Sequence, residues 1–229
     1  MPGSEDTNEE LRHHLRGSDL ATTLIITRHV HTSFNSRNIV QGARTDSEPS
    51  IKGCIQAEML AFELRKYRID SIASSPLQRC IATVSPFAKQ KGLEISIVKD
   101  LKERDYGIFD GKPPELYDRW KEQNNAYNYS YRPPEGESFM DVRERVSRAK
   151  DDILERYSGR NVLVCGHKGT NIALMMALFN KPESHYREYA MDNASITVVE
   201  VKGGVPKLIL FNSTTHLDEE KSIRRRNLV

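Results

Sequence analysis

Hydrophobic positions along this chain follow two rhythms that take turns. Thr22-Thr-Leu-Ile-Ile-Thr27 is apolar or β-branched nearly throughout, the pattern of a strand covered on both faces. Residues 33–47 are polar and read as loop. Ser50 is placed to cap a helix through Gln56-Ala-Glu-Met-Leu-Ala-Phe-Glu-Leu64. Asp70-Ser-Ile-Ala-Ser-Ser75 predicts a short strand. Pro76 then opens a helix to about Lys91, since the first turn tolerates its missing N–H, and Gly92 ends it. Glu94-Ile-Ser-Ile-Val98 alternates like a strand. Residues 106–136 are rich in Pro, Asn, Tyr and Gly, with one helical piece near Leu116-Tyr-Asp-Arg-Trp120, and read as an excursion that builds a lid or pocket wall. An amphipathic helix follows over roughly 138–157, then a strand at Asn161-Val-Leu-Val-Cys165 and a helix over 170–179. Ser195-Ile-Thr-Val-Val-Glu-Val201 and Pro206-Lys-Leu-Ile-Leu-Phe211 flank Gly203-Gly204, a hairpin signal.

Strands alternate with helices and a hairpin closes the series. That order predicts an α/β fold, a three-layer sandwich with a mostly parallel central sheet and an antiparallel edge. Length allows one sizeable core or two small ones: 229 residues, 38% hydrophobic and 29% charged. Residues 1–20 are polar and aperiodic and read as a mobile arm, with Leu11 and Leu15 spaced for a short docking helix. Residues 21–217 form the folded domain, and 218–229 a tail carrying Arg224-Arg-Arg226. A net charge of +2 gives no reason to expect nucleic acid or an anionic membrane as partner. Cys54, Cys80 and Cys165 are odd in number and scattered, against a disulfide framework or a structural zinc site, and read as buried reduced thiols. The N-terminal stretch lacks the apolar core of a secretory signal, and the longest apolar run, 172–179, is too short to span a bilayer. A cytoplasmic protein is expected.

In open α/β sheets, ligands bind past the carboxyl ends of strands. Three such ends carry chemistry: Thr27-Arg28-His29, Ser74-Ser75-Pro76-Leu77-Gln78-Arg79 and Cys165-Gly166-His167-Lys168-Gly169. Two imidazoles and two guanidiniums would gather on one edge of the sheet. Guanidinium groups match phosphoryl oxygens two at a time. One histidine can attack phosphorus, and a second, kept protonated by the anionic substrate, can stabilise the transferring group. A leaving alkoxide needs a proton donor, which Glu103 or Asp105 in Leu101-Lys-Glu-Arg-Asp-Tyr-Gly107 can supply. Alone, each of these residues is ordinary: a histidine after a strand more often packs or caps. Their combination changes the weighting.

These residues resemble the motifs of the histidine phosphatase superfamily, the phosphoglycerate mutase-like fold. Arg28-His29-Val30-His31-Thr32 with Asn35 is similar to the family's Arg-His-Gly-Glu-Thr signature. Similar in order are Gly53 with Gln56-Ala57, the 74–79 segment, Glu103 with Tyr106-Gly107, Pro134-Glu-Gly-Glu-Ser138, Gly166-His167, Asn193-Ala-Ser-Ile-Thr197, and Asn212 with His216-Leu217. The resemblance implies that His29 is the nucleophile and becomes phosphohistidine. It implies that Arg28, Arg79 and His167 form the phosphate pocket, with Asn35 adding a hydrogen bond. Glu103, which holds the family position ahead of Asp105, protonates the leaving oxygen and then activates water. No metal and no cofactor is implied; the partner is a small phosphorylated substrate.

Two departures stand out. Val30 replaces the signature glycine, where a positive φ would suit valine poorly, and Lys168 replaces a glycine after His167. His31 and Lys168 are expected to add positive charge around the pocket and favour substrates with a carboxylate or a second phosphate. The short link from Gly107 to Pro134 resembles the broad-specificity phosphatase branch, whereas Glu103-Arg-Asp-Tyr-Gly107 is similar to the mutases. A phosphatase is the preferred expectation, a phosphoglycerate mutase-type transfer the alternative, and a silent phospho-ligand-binding domain the third. An edge strand offers a route to a homodimer, though nothing in the sequence demands one.

Overall fold

A computed structural model describes residues 20–218. The readings for residues 1–19, for Leu11 and Leu15, and for Arg224 to Arg226 lie outside the described residues. Six strands among those described form one sheet: β1 (Thr22–Arg28), β2 (Ser71–Ser74), β3 (Ile95–Ile97), β4 (Asn161–Gly166), β5 (Ile196–Lys202) and β6 (Val205–Ser213), in the order β3-β2-β4-β1-β5-β6. The first four run parallel, and β5 and β6 join antiparallel at the β1 side. Gly203 and Gly204, at φ 56° and 76°, supply the two left-handed positions that the hairpin turn requires.

Strand alternation sorts the core into two layers. Leu24, Ile26, Val162 and Val164 pack with α5 (Phe139–Arg156) and α6 (Lys168–Leu178). Ile25, Ile72, Leu163 and Cys165 face the other way, toward α2 (Ile51–Leu64) and α3 (Gln78–Lys91). Both faces of the central strands are covered, which is why they read as continuous apolar runs. The three-layer sandwich expected from the element order is the fold observed.

Differences from the sequence reading are local. The 33–47 segment holds one helical turn, α1 (Ser33–Ser36), because Thr32 and Asn35 cap one another: Thr32 Oγ1 accepts from Asn35 N at 3.2 Å and Asn35 Oδ1 accepts from Thr32 N at 3.1 Å. Helix α3 starts at Gln78 rather than at Pro76, since Ser75 N still donates to Cys165 O along the sheet edge. Helix α6 starts two residues before Thr170, with His167 as its N-cap. The 106–136 excursion carries α4 (Pro114–Gln123), near the expected helical piece. Cys80 and Cys165 are buried as expected, but Cys54 is exposed. It falls between Gly53 and Gln56-Ala57, the positions of α2 that face inward. Among the described residues no helix is long and apolar enough to cross a membrane.

Candidate active site

Strand register assembles the site. Arg28 pairs with Gly166 across β1–β4, and Ser74 with Cys165 across β2–β4. One residue further on, His29 N donates to Gly166 O and Ser75 N to Cys165 O, each at 3.0 Å. His29, Ser75 and His167 therefore leave the sheet at one level, at its carboxyl edge. The rings of His29 and His167 lie 5.2 Å apart, centroid to centroid.

His29 is buried, and its Nδ1 lies 2.9 Å from the carbonyl oxygen of Val30. A carbonyl only accepts, so Nδ1 carries the proton and Nε2 keeps its lone pair. Asn193 Nδ2 steadies the backbone by donating to His29 O at 2.8 Å. Burial holds the His29 imidazole well below its ordinary value, and the charges of Arg28 and Arg79 push the same way. His167 is depressed in the same sense, by burial first and then by Arg79, His29 and Arg28. Both rings stay neutral near pH 7 until an anion offsets the arginines.

Arg79 is fully buried, and its fork is fully engaged. Its Nε donates to His167 Nδ1 at 3.1 Å; Nη1 donates to Thr45 O and Asp46 Oδ1, both at 3.0 Å; Nη2 donates to Gly42 O at 2.9 Å and more weakly to Gln41 O at 3.5 Å. A phosphoryl oxygen reaches Arg79 only by exchanging with one of these acceptors. Arg28 differs. Its Nη1 donates to Met191 O at 2.9 Å while its Nε is buried with no partner among the described residues. Burial lowers this guanidinium, with Glu103 and Asp192 working against the shift.

Glu103 is buried, with Oε1 accepting from Arg104 N at 2.8 Å and Oε2 from Gly169 N at 3.1 Å. Each oxygen retains a second lone-pair direction. A Cβ at Gly169 would stand 2.6 Å from Glu103 Oε1, so the glycine makes room for the carboxylate. Arg145 holds the preceding turn: Nη1 donates to Asp100 O at 2.6 Å and Lys102 O at 2.8 Å, Nη2 to Glu103 O at 3.2 Å, and Glu137 balances its charge at 3.0 Å. Asp105, the other carboxylate considered, is turned away to Arg44 at 2.8 Å and to Gly107 N at 2.7 Å. The Tyr186 phenol is pushed up to about 12 by burial and by Glu103, so it remains a hydroxyl donor at neutral pH.

The remaining expected residues divide. Asn35 commits its carbonyl oxygen to Thr32 and leaves its amide nitrogen without a partner among the described residues. His31 is tied to α2 through Gln56 at 2.9 Å and Ser50 at 2.8 Å, and burial, Lys52 and Arg28 all lower its imidazole. These effects oppose the positive charge expected of His31. Lys168 is exposed at the first position of α6. Val30 does not take a positive φ: its side chain is fully buried in the α2–α3 core layer and its N–H donates to Thr83 Oγ1 at 2.9 Å. Sequence reasoning assigned no role to Ser75, Gly169, Asn193 or Arg145. Three of them fall in quoted segments, but only the fold shows what each touches. Among the described residues no group of three or more His, Cys, Asp or Glu side chains could hold a metal ion.

The model of the histidine phosphatase superfamily (branch 1) matches residues 24–214. The chain is 30% identical over 204 residues to phosphoserine phosphatase 1 of Hydrogenobacter thermophilus, covering 86% of this chain and 94% of that one. It is 31% identical over 209 residues to a 2,3-bisphosphoglycerate-dependent phosphoglycerate mutase of Cytophaga hutchinsonii, covering 88% and 93%. The phosphoserine phosphatase of Entamoeba histolytica, solved with 3-phosphoglyceric acid, superposes with a TM-score of 0.75 at 25% identity, covering 86% and 99%. With a matching family model, matching fold and the motif residues drawn to one sheet edge, this chain belongs to branch 1 of the histidine phosphatase superfamily.

Proposed function

We propose that the protein hydrolyses small phosphomonoesters through a phosphohistidine on His29. The carrying observation is the Nδ1 bond to the Val30 carbonyl, which leaves Nε2 as a nucleophile in a buried, arginine-flanked site. In the first step Nε2 attacks phosphorus, the Nε2–P bond forms and the P–O bond to the leaving group breaks. Protonated Glu103 gives its proton to the departing oxygen. In the second step a water oxygen attacks phosphorus, Glu103 takes a water proton, and the P–N bond breaks. The proton that Glu103 gains is the one it gives in the next cycle. Arg28, Asn35, Arg79 and His167 bind the phosphoryl oxygens, and His167 becomes imidazolium as the dianion settles.

Lys168 narrows the substrate class. It is a cation with no ion pair among the described residues, one position from His167. Phosphoserine and phosphoglycerate, named in the relatives, both carry a carboxylate that such a cation can meet. We therefore assign the substrate as a phosphomonoester bearing a carboxylate. The Cytophaga mutase supports a second reading, in which a substrate hydroxyl rather than water takes the phosphoryl group.

Phosphate release from phosphoserine, 3-phosphoglycerate and p-nitrophenyl phosphate, measured with chelator present, separates these readings. Release that falls at least about 10³-fold in His29→Ala supports the hydrolase. Isomer exchange without release supports the mutase. No release together with no acid-labile phosphate on His29 returns the protein to the silent-binder reading. Lys168→Ala is expected to raise KM several-fold for the carboxylate esters and to leave p-nitrophenyl phosphate unchanged. An identical preference in the variant removes Lys168 from the assignment.

A further inference from the structure

His167 is held at both ring nitrogens. Arg79 Nε stands 3.1 Å from Nδ1, and Ser75 Oγ stands 2.7 Å from Nε2. All three side chains are fully buried, so water does not compete for these contacts. The backbone of His167 is fixed too, with its N–H on Thr170 Oγ1 at 3.0 Å and its carbonyl accepting from Asn171 N at 2.8 Å. A guanidinium N–H only donates. Nδ1 must therefore present a lone pair to Arg79, and in the neutral ring the proton sits on Nε2 and is donated to Ser75 Oγ. The serine hydroxyl can do this because its oxygen has two acceptor directions, the other of which meets Leu77 N at 3.3 Å.

We propose that Ser75 is a positioning residue for His167: its hydroxyl anchors the Nε2–H end of the ring and leaves Nδ1 as the one nitrogen able to take up a proton when phosphate arrives. The proposal rests on the hydrolase reading for its functional consequence. Protonation at Nδ1 consumes the lone pair that Arg79 Nε uses. The Nδ1–Arg79 bond breaks, the incoming proton comes from solvent, and Arg79 gains a free N–H for a phosphoryl oxygen. Charging of His167 and release of Arg79 thus become one event, with Ser75 holding the imidazolium by a charge-assisted bond throughout. Without the hydroxyl, the buried Nε2–H is left with only the weak sulfur acceptor of Cys80, whose Sγ lies 3.4 Å away, and the ring is freer to turn or to change tautomer.

The test reads the tautomer directly. Two-bond ¹H–¹⁵N correlation spectra of uniformly ¹⁵N-labelled protein without substrate should show His167 with its proton on Nε2 and a bare Nδ1. Ser75→Ala should show a mixture or the opposite form, and Ser75→Thr, which keeps the hydroxyl, should restore the original pattern. In Ser75→Ala, kcat is expected to fall on the order of tenfold or more, KM to change little, and the alkaline limb of the kcat profile to move to lower pH. A proton on Nδ1 in the unsubstituted protein overturns the proposal. So does a Ser75→Ala variant whose spectrum and pH profile superimpose on those of the parent. Failure of the hydrolase reading looks different, as an absence of phosphate release with the Nε2–H spectrum intact.

Discussion

The backbone carbonyl of Val30 decides which nitrogen of His29 keeps its lone pair, yet the side chain at that position contributes no functional group of its own. Where the family signature has a glycine, valine joins the buried layer that also holds Leu60, Cys80 and Val84, and its φ is not positive. Gly169 shows the reverse: an inconspicuous glycine is required because Glu103 Oε1 occupies the place of its side chain. Gly169→Ala is expected to displace the carboxylate and lower kcat about 10²-fold. The helix start itself should tolerate alanine, so the thermal midpoint should move little. Parallel loss of kcat and midpoint would assign Gly169 to folding instead. At this scale the motif residues were legible as side-chain types, whereas the tautomer of His29 is set by the backbone carbonyl next to it and the seat of Glu103 by Gly169, distant in the chain.

Elements place those neighbours. Helix α5 starts where Ser138 and Asp141 cap each other and runs 18 residues along the sheet. Its buried face carries Arg145 among Val142, Val146 and Ala149, a charge in a stripe that periodicity alone would fill with an apolar residue. Arg145 earns its place by donating to the carbonyls of residues 100, 102 and 103, which no regular ladder satisfies. Arg145→Ala leaves these acceptors and Glu137 uncompensated. The expected cost is about 3 kcal/mol, read as a lower urea midpoint, with kcat falling as Glu103 loses its support. An unfolding free energy within about 0.5 kcal/mol of the parent would show that water replaces the guanidinium without penalty. Amphipathic period predicted α5 and its extent closely, but not that one inward position serves the turn after β3 rather than the core.

At the scale of the whole molecule, two imidazoles are buried beside two guanidiniums, and folding sets their protonation. Unfolded, each histidine titrates near 6.5; folded, both lie well below that value. Below pH 6.5 the unfolded chain therefore binds protons that the folded chain refuses, so stability falls as pH drops through this window and levels out only below the folded values. Thermal midpoints from pH 8 to pH 5 should show this decline, and inorganic phosphate, which favours a charged His167, should lessen it. A midpoint independent of both pH and phosphate would contradict a neutral, anion-binding pair. Alternating apolar runs and turn residues were enough to specify strands, helices and a three-layer sandwich, because burial and periodicity are local properties of a chain. Motif order likewise specified the family. Register was another matter. That Ser75, His29 and His167 emerge at one level, that Asp105 turns to Arg44 while Glu103 turns to Gly169, and that Arg79 clasps the 41–46 segment follow from contacts across roughly 30 to 140 residues of sequence. Such contacts are decided when the sheet closes and unpaired donors and acceptors lose access to water, a condition that no local stretch of the chain meets alone.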